Sequence, residues 1–165
     1  MKNIVYSLTL LTLVMGFATV TPTYASAPAG VTITQVMSQA PPSTFDPTTG
    51  LGTNFGTWTS SGAFVDSGTA AEAFRLKFGQ KDVLQYVKAE ETLTSSSNAA
   101  NTITIVINFT KCNFEVFPLL TCDGPWEIVS GTGAYSGIEG AGTALVTVNV
   151  LLAVNTITST GVVLF

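Results

Sequence analysis

The sequence predicts an all-β chain: a single antiparallel β-barrel of about eight strands, preceded by a cleaved signal peptide. Three observations predict it. Phe74, Leu76 and Phe78 alternate with Arg75 and Lys77, and comparable runs recur along the chain; period two places alternate side chains on opposite faces of a strand. Turn-forming clusters return roughly every 8–12 residues, and no segment has convincing helical periodicity. Hydrophobic residues make up 46% and charged residues 10%, against a usual charged share of about 25%, so this is not a disordered tail.

Residues 1–25 read as an export signal. Lys2 is its one cation, an apolar stretch runs from Ile4 to Val20, and small residues follow at Ala25 and Ala27. Cleavage after Ala25 avoids placing Pro28 beside the cut. The stretch is interrupted by Ser7, Thr9, Thr12 and Gly16, and is short for a membrane anchor. No later segment holds 18 uninterrupted apolar residues, so no spanning helix is expected in the mature chain. Without Lys2, five basic residues face ten acidic ones, a net charge of −5.

Residues 26–50 hold a short strand, Val31–Val36, and a Pro/Ser/Thr-rich loop from Ala40 to Gly50. Proline fixes φ and removes a donor, so this run does not belong inside a sheet. Residues 51–165 form the barrel proper. Val83–Thr94 and Thr102–Lys111 read as a long hairpin around the turn Ser95–Asn101, with Ile103, Ile105, Ile107 and Phe109 on one face. Trp126–Ser130 and Gly142–Val150 read as two further strands, with Ala144, Val146, Val148 and Val150 alternating against Leu145, Thr147 and Asn149.

Histidine is absent. That excludes Ser-His-Asp and Cys-His catalysis and His-ligated metal sites, and no metal or cofactor is expected. A sequence pI of 4.5 excludes general nucleic-acid binding. Cys112 and Cys122 are the only cysteines, and in an exported chain they are expected to form a disulfide, since thiols oxidise outside the cytosol.

The segment Gly131-Thr132-Gly133-Ala134-Tyr135-Ser136-Gly137-Ile138-Glu139-Gly140-Ala141-Gly142 is the most distinctive motif. Its GxGxxxG spacing and the strand that follows exclude a dinucleotide cradle, which needs a helix N-terminus. It reads instead as a tight structural corner in which Gly131, Gly133, Gly137, Gly140 and Gly142 supply positive φ or close backbone approach. From Trp126 to Gly142 the chain resembles the glycine-rich hairpin of the allene oxide cyclase-like barrel superfamily, which includes the dirigent proteins and small secreted bacterial domains. Gly62-Ala63-Phe64-Val65-Asp66-Ser67-Gly68 and the long hairpin fit the same pattern. The resemblance covers about residues 50–165 and implies an eight-stranded antiparallel barrel. Some members act by shaping a hydrophobic cavity, but no catalytic residue of theirs matches a position here.

The carboxylates divide by parity. Glu72 shares its parity with Phe74, Leu76 and Phe78. If the strand runs unbroken from Ala70, Glu72 points to the buried side, where its pKa rises; if the strand frays there, Glu72 lies in water. On the first reading, Glu72, Phe74, Leu76 and Phe78 form an apolar barrel mouth with one ionisable group, a candidate ligand-binding site. Glu127 reads as solvated, Lys88, Glu90 and Glu91 as a charged surface patch, and Arg75 with Lys77 as a solvated face. Trp58 and Trp126 read as core or rim aromatics. The sequon Asn108-Phe109-Thr110 falls in an expected strand and is set aside.

The expected function is a secreted or periplasmic barrel that binds a small hydrophobic molecule. The alternatives are a cavity-templating isomerase or cyclase, a structural surface protein without a ligand, and an outer-membrane barrel. Eight transmembrane strands of about 9–11 residues would leave too little chain for the Pro-rich loop and the cysteines.

Overall fold

The computed structural model describes residues 27–78, 84–116, 118–149 and 151–165. The expected signal peptide and the expected strand ends Val83 and Val150 lie outside them. Ten strands run in chain order: β1 (Ala29–Ser38), β2 (Thr44–Asp46), β3 (Leu51–Gly62), β4 (Ser67–Phe78), β5 (Leu84–Ser95), β6 (Thr102–Asn108), β7 (Lys111–Val116), β8 (Leu119–Gly131), β9 (Glu139–Asn149) and β10 (Val154–Leu164). Eight of them close a barrel in the order β1-β10-β9-β8-β6-β5-β4-β3, and β3 pairs back onto β1. Every pairing is antiparallel. β2 extends the edge of β3, and β7 pairs with β8 alone. The barrel therefore begins at Ala29, because β1 is the stave that closes it.

Period two builds the wall. Ile33 and Met37 of β1, Leu93 of β5, Ile103, Ile105 and Ile107 of β6, Val146 of β9 and Ile157 of β10 are fully buried and point inward. Between them the outward positions are threonine-rich: Thr57 and Thr59, Thr69, Thr92, Thr143, Thr156, Thr158 and Thr160 are exposed or half-buried. β-Branched residues favour strands on both faces, and the hydroxyls wet the outside. Among the described residues no helix is long and apolar enough to cross a membrane.

Two segments differ from the sequence reading. The Pro-rich stretch contains the short strand β2, which lies along β3 through Thr44–Thr53 and Asp46–Leu51. The strand expected over Thr102–Lys111 breaks after Asn108, where the chain crosses Gly124: a Cβ there would meet Asn108 O at 2.1 Å. It resumes as β7, in which Cys112 stands directly opposite Cys122 on β8, and the two are joined by a disulfide. The glycine corner holds a 3₁₀ turn, Gly133–Tyr135, between β8 and β9. Gly133 and Gly137 have φ of 59° and 81°, and Gly131, Gly140 and Gly142 approach neighbouring atoms too closely for a side chain.

Candidate functional site

Aromatic side chains cluster beside the glycine corner. Phe64 packs against Trp58, Tyr135 and Phe165 with ring centroids 6.5, 5.4 and 5.9 Å apart. The Tyr135 hydroxyl donates to Asp66 Oδ2, which ties the corner to the β3–β4 connection. The interior between this plug and the opposite end is where the polar side chains collect.

Glu72 on β4 and Glu91 on β5 are cross-strand partners, both facing inward, 2% and 0% exposed. Asn54 of β3 is the partner of Glu72 on its other side, and its Nδ2 donates to Glu72 Oε2 at 2.6 Å. Gln35 lies on β1, the next strand round from β3, and its Nε2 donates to Glu91 Oε2 across the interior. These four side chains are buried. Three of their oxygens, Gln35 Oε1, Glu72 Oε1 and Glu91 Oε1, have no hydrogen-bond partner. An unpaired buried acceptor is costly, so each marks a place where a donor would be accommodated.

Burial governs the ionisation of the pair. It pushes Glu72 up to about 7, with the Asn54 hydrogen bond acting the other way. It pushes Glu91 up to about 8, helped by the neighbouring charge of Glu72 and opposed by the Gln35 hydrogen bond. Near neutrality the two carboxyls therefore retain protons that exposed glutamates would have lost. A proton-bearing carboxyl beside a second carboxyl can donate and accept at one spot, as acid–base chemistry requires.

One inward position beyond Glu72 on β4 stands Phe74, and one beyond Asn54 on β3 stands Gly52. The Phe74 ring fills the space that a side chain at Gly52 would take, its Cζ 2.3 Å from the position of such a Cβ. Phe45 of β2 stacks on Phe74 with centroids 6.1 Å apart. Outside this pair opens a groove of about 880 Å³, walled by Phe45, Leu51, Phe74 and Val87 and edged by Arg75 and Lys88. Val87 is the extra residue of a bulge between β4 and β5, where Arg75 pairs with Lys88 and Leu76 with Tyr86. Bulges re-aim side chains at barrel rims, and this one presents Val87 to the groove.

Of the residues singled out by parity, Glu72, Phe74 and Leu76 are brought to one inward face of β4, and all three are buried. Phe74 lines the groove, Leu76 lines a neighbouring recess under the Pro47–Gly50 turn, and Glu72, the next inward position on β4, lines neither. The Phe78 side chain lies outside the described residues. Glu91 is the correction: it is not part of the surface patch but fully buried. Lys88 and Glu90 do lie outside, 4.0 Å apart. In a strand, adjacent carboxylates must face opposite sides, and Glu91 shares its parity with Ala89 and Leu93. Gln35 and Asn54 were missed; Gln35 carries the same signal, sitting between Ile33 and Met37.

The chain matches no protein-family model, no curated protein and no solved structure.

Proposed function

We propose that this protein is an exported barrel that binds a small, mainly apolar molecule at the end covered by β2. The apolar body of the ligand would lie in the groove against Phe45, Leu51 and Phe74. Its polar end would reach the buried quartet Gln35, Asn54, Glu72 and Glu91 once Phe74 swings aside. The observation that carries this reading is that Glu72 and Glu91 each keep a buried carboxyl oxygen without a hydrogen-bond partner. Ligand sites are commonly apolar with a few polar groups that fix orientation. The disulfide supports an exported location. The closed eight-stranded barrel and the positive-φ glycines of the corner support membership of the allene oxide cyclase-like superfamily, which we retain as part of the proposal.

Titration with a hydrophobic fluorophore tests it. We expect saturable binding, weakened about tenfold by Glu72→Gln in a protein that still unfolds cooperatively. Absence of saturable binding to the wild type would leave the barrel a purely structural unit.

One observation favours a second reading, an isomerase or cyclase: two adjacent carboxyls lie at about 7 and about 8, within the range useful for acid–base catalysis. Turnover by that route would follow pH with limbs near these values, and Glu72→Gln or Glu91→Gln would remove a limb.

A further inference from the structure

The unused atoms of the quartet narrow the chemistry of its ligand, and the argument rests on the binding reading above. Each carboxyl already spends one oxygen on an amide N–H, from Asn54 to Glu72 and from Gln35 to Glu91. The atoms left without any partner are all oxygens, Gln35 Oε1, Glu72 Oε1 and Glu91 Oε1, while each amide nitrogen already gives one of its two N–H groups to a carboxyl. An alcohol would bring one donor to this set. A carboxylate would bring none, and would add its own negative charge beside the two carboxyls. A primary ammonium brings three N–H donors and a compensating charge.

We propose that the polar end of the ligand is a primary ammonium group, the ligand being an amine with an alkyl or arylalkyl body. Glu72 and Glu91 would share the charge, and Gln35 Oε1 would take a third N–H.

The surroundings agree with an organic cation. Among the described residues Glu72 and Glu91 are the only buried charged side chains. β1 and β3 contribute the amides Gln35 and Asn54 to the pair, and β6 contributes Ile105, the ladder partner of Glu91. Arg75, Lys88 and Glu90 lie on the outer face of the same strands and are exposed, so no cation competes from within. Among the described residues no three acidic, cysteine or histidine side chains gather as a metal site. The approach past Phe45, Leu51 and Phe74 suits a hydrocarbon chain better than a hydrated ion.

Calorimetric titration of the full protein with octylamine, octanol and octanoate at about pH 9, where both carboxyls are ionised, tests the head group. We expect octylamine to bind at least tenfold more tightly than octanol, with octanoate weakest. In Glu72→Gln and Glu91→Gln that advantage should vanish, while octanol affinity stays within about threefold of wild type. Equal binding of octylamine and octanol would overturn the ammonium inference and leave the apolar-ligand reading standing. Failure of all three to bind would overturn both. An amine preference that survives both substitutions would place the ammonium on Asp46 or Glu90 at the groove edge and overturn the assignment to the quartet. Displacement of octylamine by calcium chloride would do so in favour of a metal site. If a variant fails to fold, the wild-type head-group series still decides whether an ammonium is preferred, and the other single variant still tests the quartet.

Discussion

Glu72 and Glu91 stand directly opposite each other on adjacent strands, both turned into the barrel, where like-charged partners on an exposed sheet face would already destabilise the ladder. Their coexistence requires that at least one hold its proton over much of the neutral range, so the fold is coupled to pH.

The direction of that coupling follows from the raised values, about 7 for Glu72 and about 8 for Glu91, against 4.5 for each when unfolded. The folded chain binds protons that the unfolded chain releases. The associated stability is complete below about pH 4.5 and is lost as pH rises through 7 and 8. Denaturant melts should show a decline on the order of a few kcal/mol between about pH 5 and pH 9. The double variant Glu72→Gln with Glu91→Gln should flatten it. A wild-type midpoint that holds constant across this range would mean that the two carboxyls ionise as freely as exposed ones.

Most of the barrel wall was legible because one strand rule generates it. Ile103, Ile105 and Ile107 alternate with Thr102 and Thr104, and that pattern alone gives β6 and its inward face. Applied strictly, the same rule turns Glu91 inward with Leu93 and Ala89. Grouping Glu91 with the adjacent charges Lys88 and Glu90 as one surface patch concealed it. The Gln35–Glu91 hydrogen bond was beyond reach for another reason. Its partners are 56 residues apart and meet only because β3 closes onto β1, a pairing that no local pattern encodes. The Phe45–Phe74 stack depends likewise on β2, three residues of strand inside a Pro-rich loop.

The Cys112–Cys122 disulfide clamps β7, which lies off the barrel path, onto the barrel strand β8. Closing a loop of about 11 residues is worth about 2.8 kcal/mol in the chain-entropy model. Cys112→Ser with Cys122→Ser should lower the unfolding free energy by about 2–3 kcal/mol while the barrel keeps its far-ultraviolet spectrum. Mass measurement before and after reduction and alkylation checks the bond itself. Two alkylated thiols without prior reduction would show that it does not form in the exported protein.

At the glycine corner the two positive-φ positions should respond unequally. A Cβ at Gly133, with φ of 59°, would meet Asn101 Oδ1 at 2.2 Å and Ala100 O at 2.9 Å, whereas at Gly137, with φ of 81°, nothing lies within 4 Å. Gly137→Val therefore suffers backbone strain alone, on the order of 1–3 kcal/mol. Gly133→Val adds a clash with the turn that receives the corner, and should cost more. Urea melts rank the two. The opposite order would mean that the corner shifts freely against Ala100 and Asn101.

Phe74 lies over Gly52 with no room for a methyl group: a Cβ at Gly52 would stand 2.3 Å from Phe74 Cζ and 2.8 Å from Thr44 O. Gly52→Ala must push the ring off its seat and loosen β2, at a cost of about 1–3 kcal/mol. Phe74→Leu leaves a void beside Phe45 and is destabilising by itself, since Phe74 is buried. The two changes act on the same space. Together they should cost less than the sum of the single effects, by about 1 kcal/mol in a double-mutant cycle. The rescue stays incomplete because the Thr44 carbonyl remains in place. If Phe74 is the element that separates groove from quartet, Gly52→Ala should also speed the association of a hydrophobic fluorophore in stopped flow, since the displaced ring already exposes the way in. Additive stabilities together with an unchanged association rate would show that the ring does not occupy the space over Gly52 in solution.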